Sequence, residues 1–321
     1  QSPTIFSNIV SNDSVHLQVV DAILLQQLRR YNLVAKQADL ITGVKDIVQN
    51  TTFSSTAILN ILNEGQRRIA GGILLVFPDG TQVLSSPIEE FATSSELTTS
   101  TTNPYIALPT NFSRDMTFLA SETNDIRIEI MSSLPSLLAM YPTLDNTNRV
   151  MSAAVSGKKL YYQGMPSTAE TLTAYYYRKP RDMATCTAGT ISFTATTGVI
   201  ADSSNGFREF YADQIIDVTG STSNNGYYTI DSVETDGSAI TLSGASLTDE
   251  SASASVTIKS RPEGIPEHLH EDLLINFSVI KIFERESIRD KPFVADADRY
   301  RALFNKAMLD FEAAIEEVNE P

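Results

Sequence analysis

An apolar stripe near the C-terminal end constrains this chain more than any other feature. Tyr300, Leu303, Phe304, Ala307, Met308, Phe311, Ala314, Ile315 and Val318 recur at the three- and four-residue spacing of one helix face. Roughly five turns of continuous apolar face need a partner along their whole length. A shorter helix upstream can supply part of it. Pro266 suits a first helical turn, and Leu269, Leu273, Phe277 and Ile280 follow at helical spacing before Lys291-Pro292 breaks the run. Residues 265–321 therefore predict two helices folded back on each other, with the body of the protein or another chain covering the rest.

The opening residues read as an arm over 1–13 and then as helices. Ser14 is a plausible cap for a stripe of Leu17, Val20, Ile23, Leu24, Leu28 and Tyr31. Asp39 can cap or charge the start of a helix carrying Leu40, Ile41, Val44, Ile47 and Val48. Ser54 or Ser55 starts another, with Ile58, Ile61, Leu62 and Ile69, that ends at Gly71-Gly72. Beyond it the character changes. Pro78-Asp79-Gly80 marks a turn, and 89–103, with a Ser/Thr-rich run over 93–102, predicts a surface loop or mobile segment. Ile126, Ile128 and Ile130 alternate as a half-buried strand, and 131–141 predicts a short helix interrupted by Pro135. Residues 159–162 and 171–177 predict two strands joined through Gly164, Pro166 and Ser167 as a hairpin or meander.

From about 184 to 259 Thr, Ser, Gly and Ala dominate. Strand-like runs at 190–194, 214–218, 227–233, 239–242 and 255–258 are separated by turn groups, with Asn225-Gly226 and Asp236-Gly237 as tight-hairpin signals. This predicts a small β module set between Tyr177-Arg178-Lys179-Pro180 and Pro262, inserted into a host domain rather than appended to it.

Charge and chemistry exclude several roles. With 39 acidic against 24 basic residues, a general grip on phosphates is not expected, because counterion release needs clustered Lys and Arg. No stretch approaches the ~18 apolar residues of a membrane span, so the expectation is a soluble chain with no membrane partner. Cys186 is the one cysteine, which rules out an internal disulfide and a thiolate metal cage. The three histidines are His16, His268 and His270. The last two, beside Glu267, Glu271 and Asp272, are either a metal cluster or an acidic first turn complementing the helix dipole. Positions two apart on a helix point about 200° away from each other, which disfavours a shared ion. No phosphate loop, nucleophile elbow or Cys/His pair is present. Arg67-Arg68 and Arg178-Lys179-Pro180-Arg181 are the densest basic patches, read either as solvated element ends or as phosphate contacts. Of Tyr175, Tyr176 and Tyr177, at most two can share a strand face, which favours core packing over base stacking. No catalytic, metal or cofactor residue is expected, and no enzyme activity.

Several segments in order resemble the adaptor proteins of tailed bacteriophages, the head-to-tail connector subunits that dock as a ring beneath the portal. They are LITGVKDIV at 40–48, ILNILNEGQRRIAGG at 58–72, LPTNFSRD at 108–115, LYYQGMP at 160–166 with LTAYYYRKP at 172–180, and IPEHLHEDLL at 265–274. The likeness covers about 38–181 and 261–318. Two departures stand out: the helix at 14–31 precedes the family's usual start, and the β module interrupts its pattern. The resemblance implies a homo-oligomeric, dodecameric ring in the virion neck that meets the portal protein through C-terminal segments. Tail tube, nozzle or fibre proteins would lie on the other side, double-stranded DNA would pass transiently, and assembly would occur in the host cytoplasm. It carries no catalytic residues.

The expected fold is α+β: a helical adaptor core with a small antiparallel β element, plus an inserted all-β, sandwich or barrel-like module. The expected domains are an N-terminal arm and helix (1–36), a first part of the core (37–183), the module (184–260) and a C-terminal helical hairpin (261–321). Tyr300, Phe304, Met308 and Phe311 are expected to pack the host domain. Interface residues are expected at Phe311, Ile315 and Val318 and at Arg178, Lys179 and Arg181. A competing reading is a tail accessory or receptor-binding protein that uses the module on carbohydrate.

Overall fold

The computed structural model describes residues 36–49, 53–252, 255–287 and 293–319. Side chains at 267, 286–287, 293–295 and 314–319 lie outside that description, as do the expected helix at 14–31 and the Lys291-Pro292 break. The chain divides into two compact units. One comprises Gln1–Gly65 with Asp182–Pro321, and the other is Gln66–Arg181.

The Gln66–Arg181 unit overturns the expectation of a helical core with a small β element. It holds the end of α2 (Ser55–Ala70), a 3-10 turn at Glu89–Phe91, one further short α-helix, α3 (Leu134–Met140), and ten strands. Strands β1 (Leu74–Val76) and β2 (Gln82–Leu84) form a hairpin. Strands β3 (Ala92–Thr98), β10 (Thr171–Arg178), β5 (Phe112–Ser121) and β6 (Ile126–Arg127) form one four-stranded sheet in that order. A second has the order β4 (Tyr105–Ala107), β9 (Lys159–Gln163), β8 (Ser152–Ser156) and β7 (Glu129–Met131), with β7 and β8 parallel. The two sheets share one core, in which Leu119, Leu172 and Ala174 from the first meet Ala153, Leu160 and Tyr162 from the second. Over the described chain strand exceeds helix, 33% against 28%. The physical reason is that Ser- and Thr-rich edge strands carry few apolar residues and so hide among loops at the level of sequence.

Three local expectations fail for related reasons. The Ser/Thr run is no loose segment: residues 92–98 pair with β10 residue for residue, Thr98 opposite Thr171 and Ala92 opposite Tyr177. Strands β9 and β10 are neighbours in sequence but belong to different sheets. Pro135 does not interrupt α3 but opens it, where its missing N–H costs nothing, behind a Ser133 cap that accepts from the Ser136 amide at 3.2 Å.

In the other unit, α1 (Gln37–Val48) buries Leu40 and Val44, with the Asp39 carboxylate accepting from the Lys36 amide. Ser54 caps α2 by accepting from Ala57 N at 3.1 Å. A π-helical turn, Glu271–Ile275, leads into α4 (Asn276–Ser287), which packs against α5 (Phe293–Asn319). Phe277 meets Phe304 at 6.1 Å, Phe283 meets Tyr300 at 5.9 Å, and Arg301 bridges to Glu284 at 3.0 Å. Phe304, Met308 and Phe311 are all buried.

The same unit carries seven antiparallel strands in the order β11 (Thr185–Ala188), β17 (Val256–Ser260), β14 (Ile215–Thr219), β15 (Gly226–Val233), β16 (Ala239–Leu242), β13 (Val199–Asp202), β12 (Ile191–Thr194). Residues from both ends of this sheet, Cys186 and Phe193 among them, fall in one core with Ile216, Ile230 and Ile258, so the sheet curls around itself. The Asn225-Gly226 signal does not make a two-residue turn. Val218 pairs with Gly226, and the intervening loop is instead organised by Glu250. The Asp236-Gly237 connection is likewise wider, closed where Glu234 N bonds Ala239 O.

Candidate interaction surfaces

Among the described residues no group of three or more His, Cys, Asp or Glu side chains converges as a metal site. His270 is buried with Nε2 at 2.6 Å from the Ile265 carbonyl, whereas His268 is exposed; His16 lies outside the described residues. Burial pushes the Cys186 thiol up to about 11, and its Sγ lies 3.9 Å from the Asp202 carboxylate. That makes it a packing residue rather than a nucleophile.

The fold does gather the basic patches. Gln66 at the end of α2 donates to the Arg181 carbonyl at 2.7 Å, and Lys179 N donates to Asn111 O at 2.7 Å just before β5. Arg114 stands opposite Tyr177, and a Cβ added at Gly71 would lie 3.9 Å from its Cδ. Arg178 covers the Phe91 ring at 5.1 Å. Arg67, Arg68, Arg114, Arg178, Lys179 and Arg181 therefore share one end of the Gln66–Arg181 unit, with Asp115, Glu89 and Glu90 beside them. The charge is divided as sharply. Ten basic and ten acidic residues lie in Gln66–Arg181, so the formal −15 falls entirely on the rest of the chain.

Phe311 is buried against its own chain, at 4% exposure. The Ile315 and Val318 side chains lie outside the described residues. Sequence reasoning missed two exposed apolar surfaces. One is the outer face of the β1–β2 hairpin, where Leu74, Val76 and Leu84 stand in the open while Leu75 points into the core. The other is the outer face of the β3–β10–β5–β6 sheet, where Tyr175 and Phe118 meet edge to face at 5.7 Å. The alternation around Tyr176, which is 2% exposed, was the available signal for Tyr175.

On the β module a shallow groove of about 500 Å³ is lined by Ile215, Tyr227, Thr229 and Arg261. Arg261 covers the Tyr227 ring at 4.1 Å, and Lys36 approaches it at 5.3 Å while pairing with Asp217 at 3.7 Å. With its ring engaged by these cations, Tyr227 is poorly placed to stack on a sugar.

No described helix is long and apolar enough to cross a membrane. No curated protein matches the chain. Residues 35–199 match the SU10 adaptor protein family, a span that runs from α1 through the whole Gln66–Arg181 unit into the first strands of the module. With more than half of its length in that match, the chain belongs to the SU10 adaptor protein family, a family of phage adaptor proteins.

Proposed function

We propose that this protein is the head-to-tail adaptor of a tailed phage: a virion neck protein, dodecameric as a ring, seated between the portal and tail tube, nozzle or fibre proteins, through which double-stranded DNA passes. The match over residues 35–199 carries this reading. The charge division supports it. A ring whose copies present acidic surface to the channel repels a passing duplex and lets it slide. Arg178, Lys179 and Arg181, at the basic end of a unit with no net formal charge, are suited to the acidic surface of a neighbouring subunit.

On this reading α5 divides its work along its length. Its earlier turns, with Phe304, Met308 and Phe311, hold the chain's own helices, and its last turns, around Ile315 and Val318, reach the portal or a neighbour. Deleting residues 312–321 tests it. The truncated chain should fold and keep its melting behaviour yet fail to join portal-containing heads in reconstitution, as read by negative-stain imaging of necks. Undiminished joining would overturn the C-terminal contact. A density map of the intact virion placing the protein away from the neck would overturn the function itself.

A further inference from the structure

We propose that the outer face of the β3–β10–β5–β6 sheet pairs with the same face of a second copy of this chain, forming a two-fold dimer. The reverse of this sheet is fully committed: Leu119, Leu172 and Ala174 are completely buried. On the outer face Tyr175 and Phe118 are 47% and 37% exposed, and Arg127 lies 5.5 Å over the Phe118 ring. Two large aromatic rings held edge to face in the middle of an open sheet are the kind of rigid anchor that dominates interface energetics.

The charges around that anchor are what select the occupant. Arg114 lies four residues before Phe118, and Glu122 lies four residues after it. Arg114 stands opposite Tyr177 and Phe118 opposite Tyr175, on the outward row of β10. Glu122 donates its amide to Thr171 O at 3.1 Å, and its carboxylate accepts from the Thr173 hydroxyl on the same outward row. Cation, aromatic and anion are thus strung along one strand with the aromatic at the midpoint.

A two-fold axis lying in the contact plane, crossing the strands through the Phe118–Tyr175 row, brings each Glu122 onto the other copy's Arg114 and the aromatic rows onto each other. Such self-complementarity is the requirement of an isologous contact. Arg114 already pairs with Asp115 at 2.7 Å, but a guanidinium has five N–H donors and can serve a second carboxylate. The contact closes at two copies, whereas neighbours in a ring with distinct portal and tail ends repeat head to tail, so this pair is a state of the free chain outside the ring. It uses none of the residues assigned above to that ring and is tested apart from it.

Sedimentation velocity on the full chain, from about 1 to about 100 µM, is the test. The expected result is a reversible dimer that weakens when salt screens the charges. Arg114→Glu and Glu122→Arg should each weaken it at least ~10-fold, and the doubly reversed chain should recover most of the loss. Tyr175→Ser, at an exposed site that leaves the core intact, should weaken it without lowering the melting temperature. A chain that stays monomeric at the top concentration overturns the proposal. So does a dimer indifferent to the single reversals or to Tyr175→Ser, or a double variant no better than the singles.

Discussion

Asn63 and Met183, 120 residues apart in sequence, exchange two hydrogen bonds: the Asn63 side-chain amide donates to Met183 O at 3.2 Å, and Met183 N donates back to Asn63 Oδ1 at 2.9 Å. Both residues are buried, and Gln37 repeats the device next door. It donates to Ala184 O at 3.4 Å and accepts from Thr185 Oγ1 at 2.7 Å. Two helices thus satisfy the backbone of the segment leading into β11, which water cannot reach.

Asn63→Ala leaves a buried peptide N–H and C=O without those partners. The expected cost is about 1–3 kcal/mol of stability, measured by urea denaturation. Asn63→Asp should retain part of it, since a carboxylate still accepts from Met183 N but cannot return a bond to the carbonyl. A loss no greater than that of an exposed control such as Asn146→Ala would remove Asn63 from this role.

How much of this was legible in the sequence depends on whether the partner lay nearby. The C-terminal helix is legible, because Phe304, Ala307, Met308 and Phe311 mark one buried face whatever covers it, although Leu303 from the same expected stripe stands 46% exposed and the side chains at 314, 315 and 318 lie outside the described residues. Strand β3 was not. Ser94 and Glu96 face outward, Leu97 is buried near its end, and its pairing is supplied by β10 from about seventy residues away. The basic end was half legible: both patches were visible as short runs, but only the fold brings Arg67 and Arg68 to the end of β10. The outward row of β5 was hidden for another reason: strict alternation would set Met116 on the same face as Arg114 and Phe118, but register shifts along β5, where Asp115 takes φ +48°, turn Met116 into the core opposite Tyr176.

Glu250 should make the β module acid-sensitive. Its carboxylate accepts from the Ser221 hydroxyl at 2.6 Å, from Thr222 N at 2.9 Å and Ser223 N at 3.3 Å, and from Asn224 Nδ2 at 3.0 Å. These bonds, the Ser221 hydroxyl foremost, favour the charged form and hold its pKa at about 2, against an ordinary value of 4.5. A depressed carboxylate pKa gives stability that is complete above about pH 4.5 and is lost as pH falls toward 2. Glu250→Gln should lower the melting temperature at neutral pH and flatten its slope in that acid window. Superimposable acid profiles for parent and variant would contradict the assignment.

Tyr162 ties down the loop after β3. Its side chain is fully buried, yet its hydroxyl accepts from Ser100 N at 2.8 Å and donates to Asn103 O at 2.8 Å. Tyr162→Phe keeps the ring and removes both bonds, so about 1–2 kcal/mol should be lost. Faster amide hydrogen exchange should appear at residues 100–103 and not at β5 or β10. Uniform acceleration across the unit would instead mean that the ring's packing, rather than its hydroxyl, had been disturbed.

Gly65 tests how closely α2 approaches the C-terminal helices. An added Cβ would come within 2.7 Å of Phe277 Cδ1 and 3.2 Å of its Cγ, so the ring rather than a flexible tip is in the way. Replacing a mid-helix glycine by alanine ordinarily stabilises by about 1 kcal/mol. Here Phe277 is 3% exposed and sits against Phe304, and a ring so confined cannot yield by rotating into solvent. Overpacking typically costs about 1–3 kcal/mol, and the expected net effect of Gly65→Ala is a lower melting temperature. Phe277→Leu on its own should also destabilise, by leaving space beside Gly65, but combined with Gly65→Ala it should cost less than the sum of the two. Gly43 provides the contrast: its added Cβ would meet the terminal Cδ1 of Ile275 at 2.6 Å, an atom that a rotamer change can move, so Gly43→Ala should be the milder substitution. Strict additivity in the Gly65–Phe277 double-mutant cycle, or a stabilised Gly65→Ala chain, would show that the helices stand further apart than this contact requires.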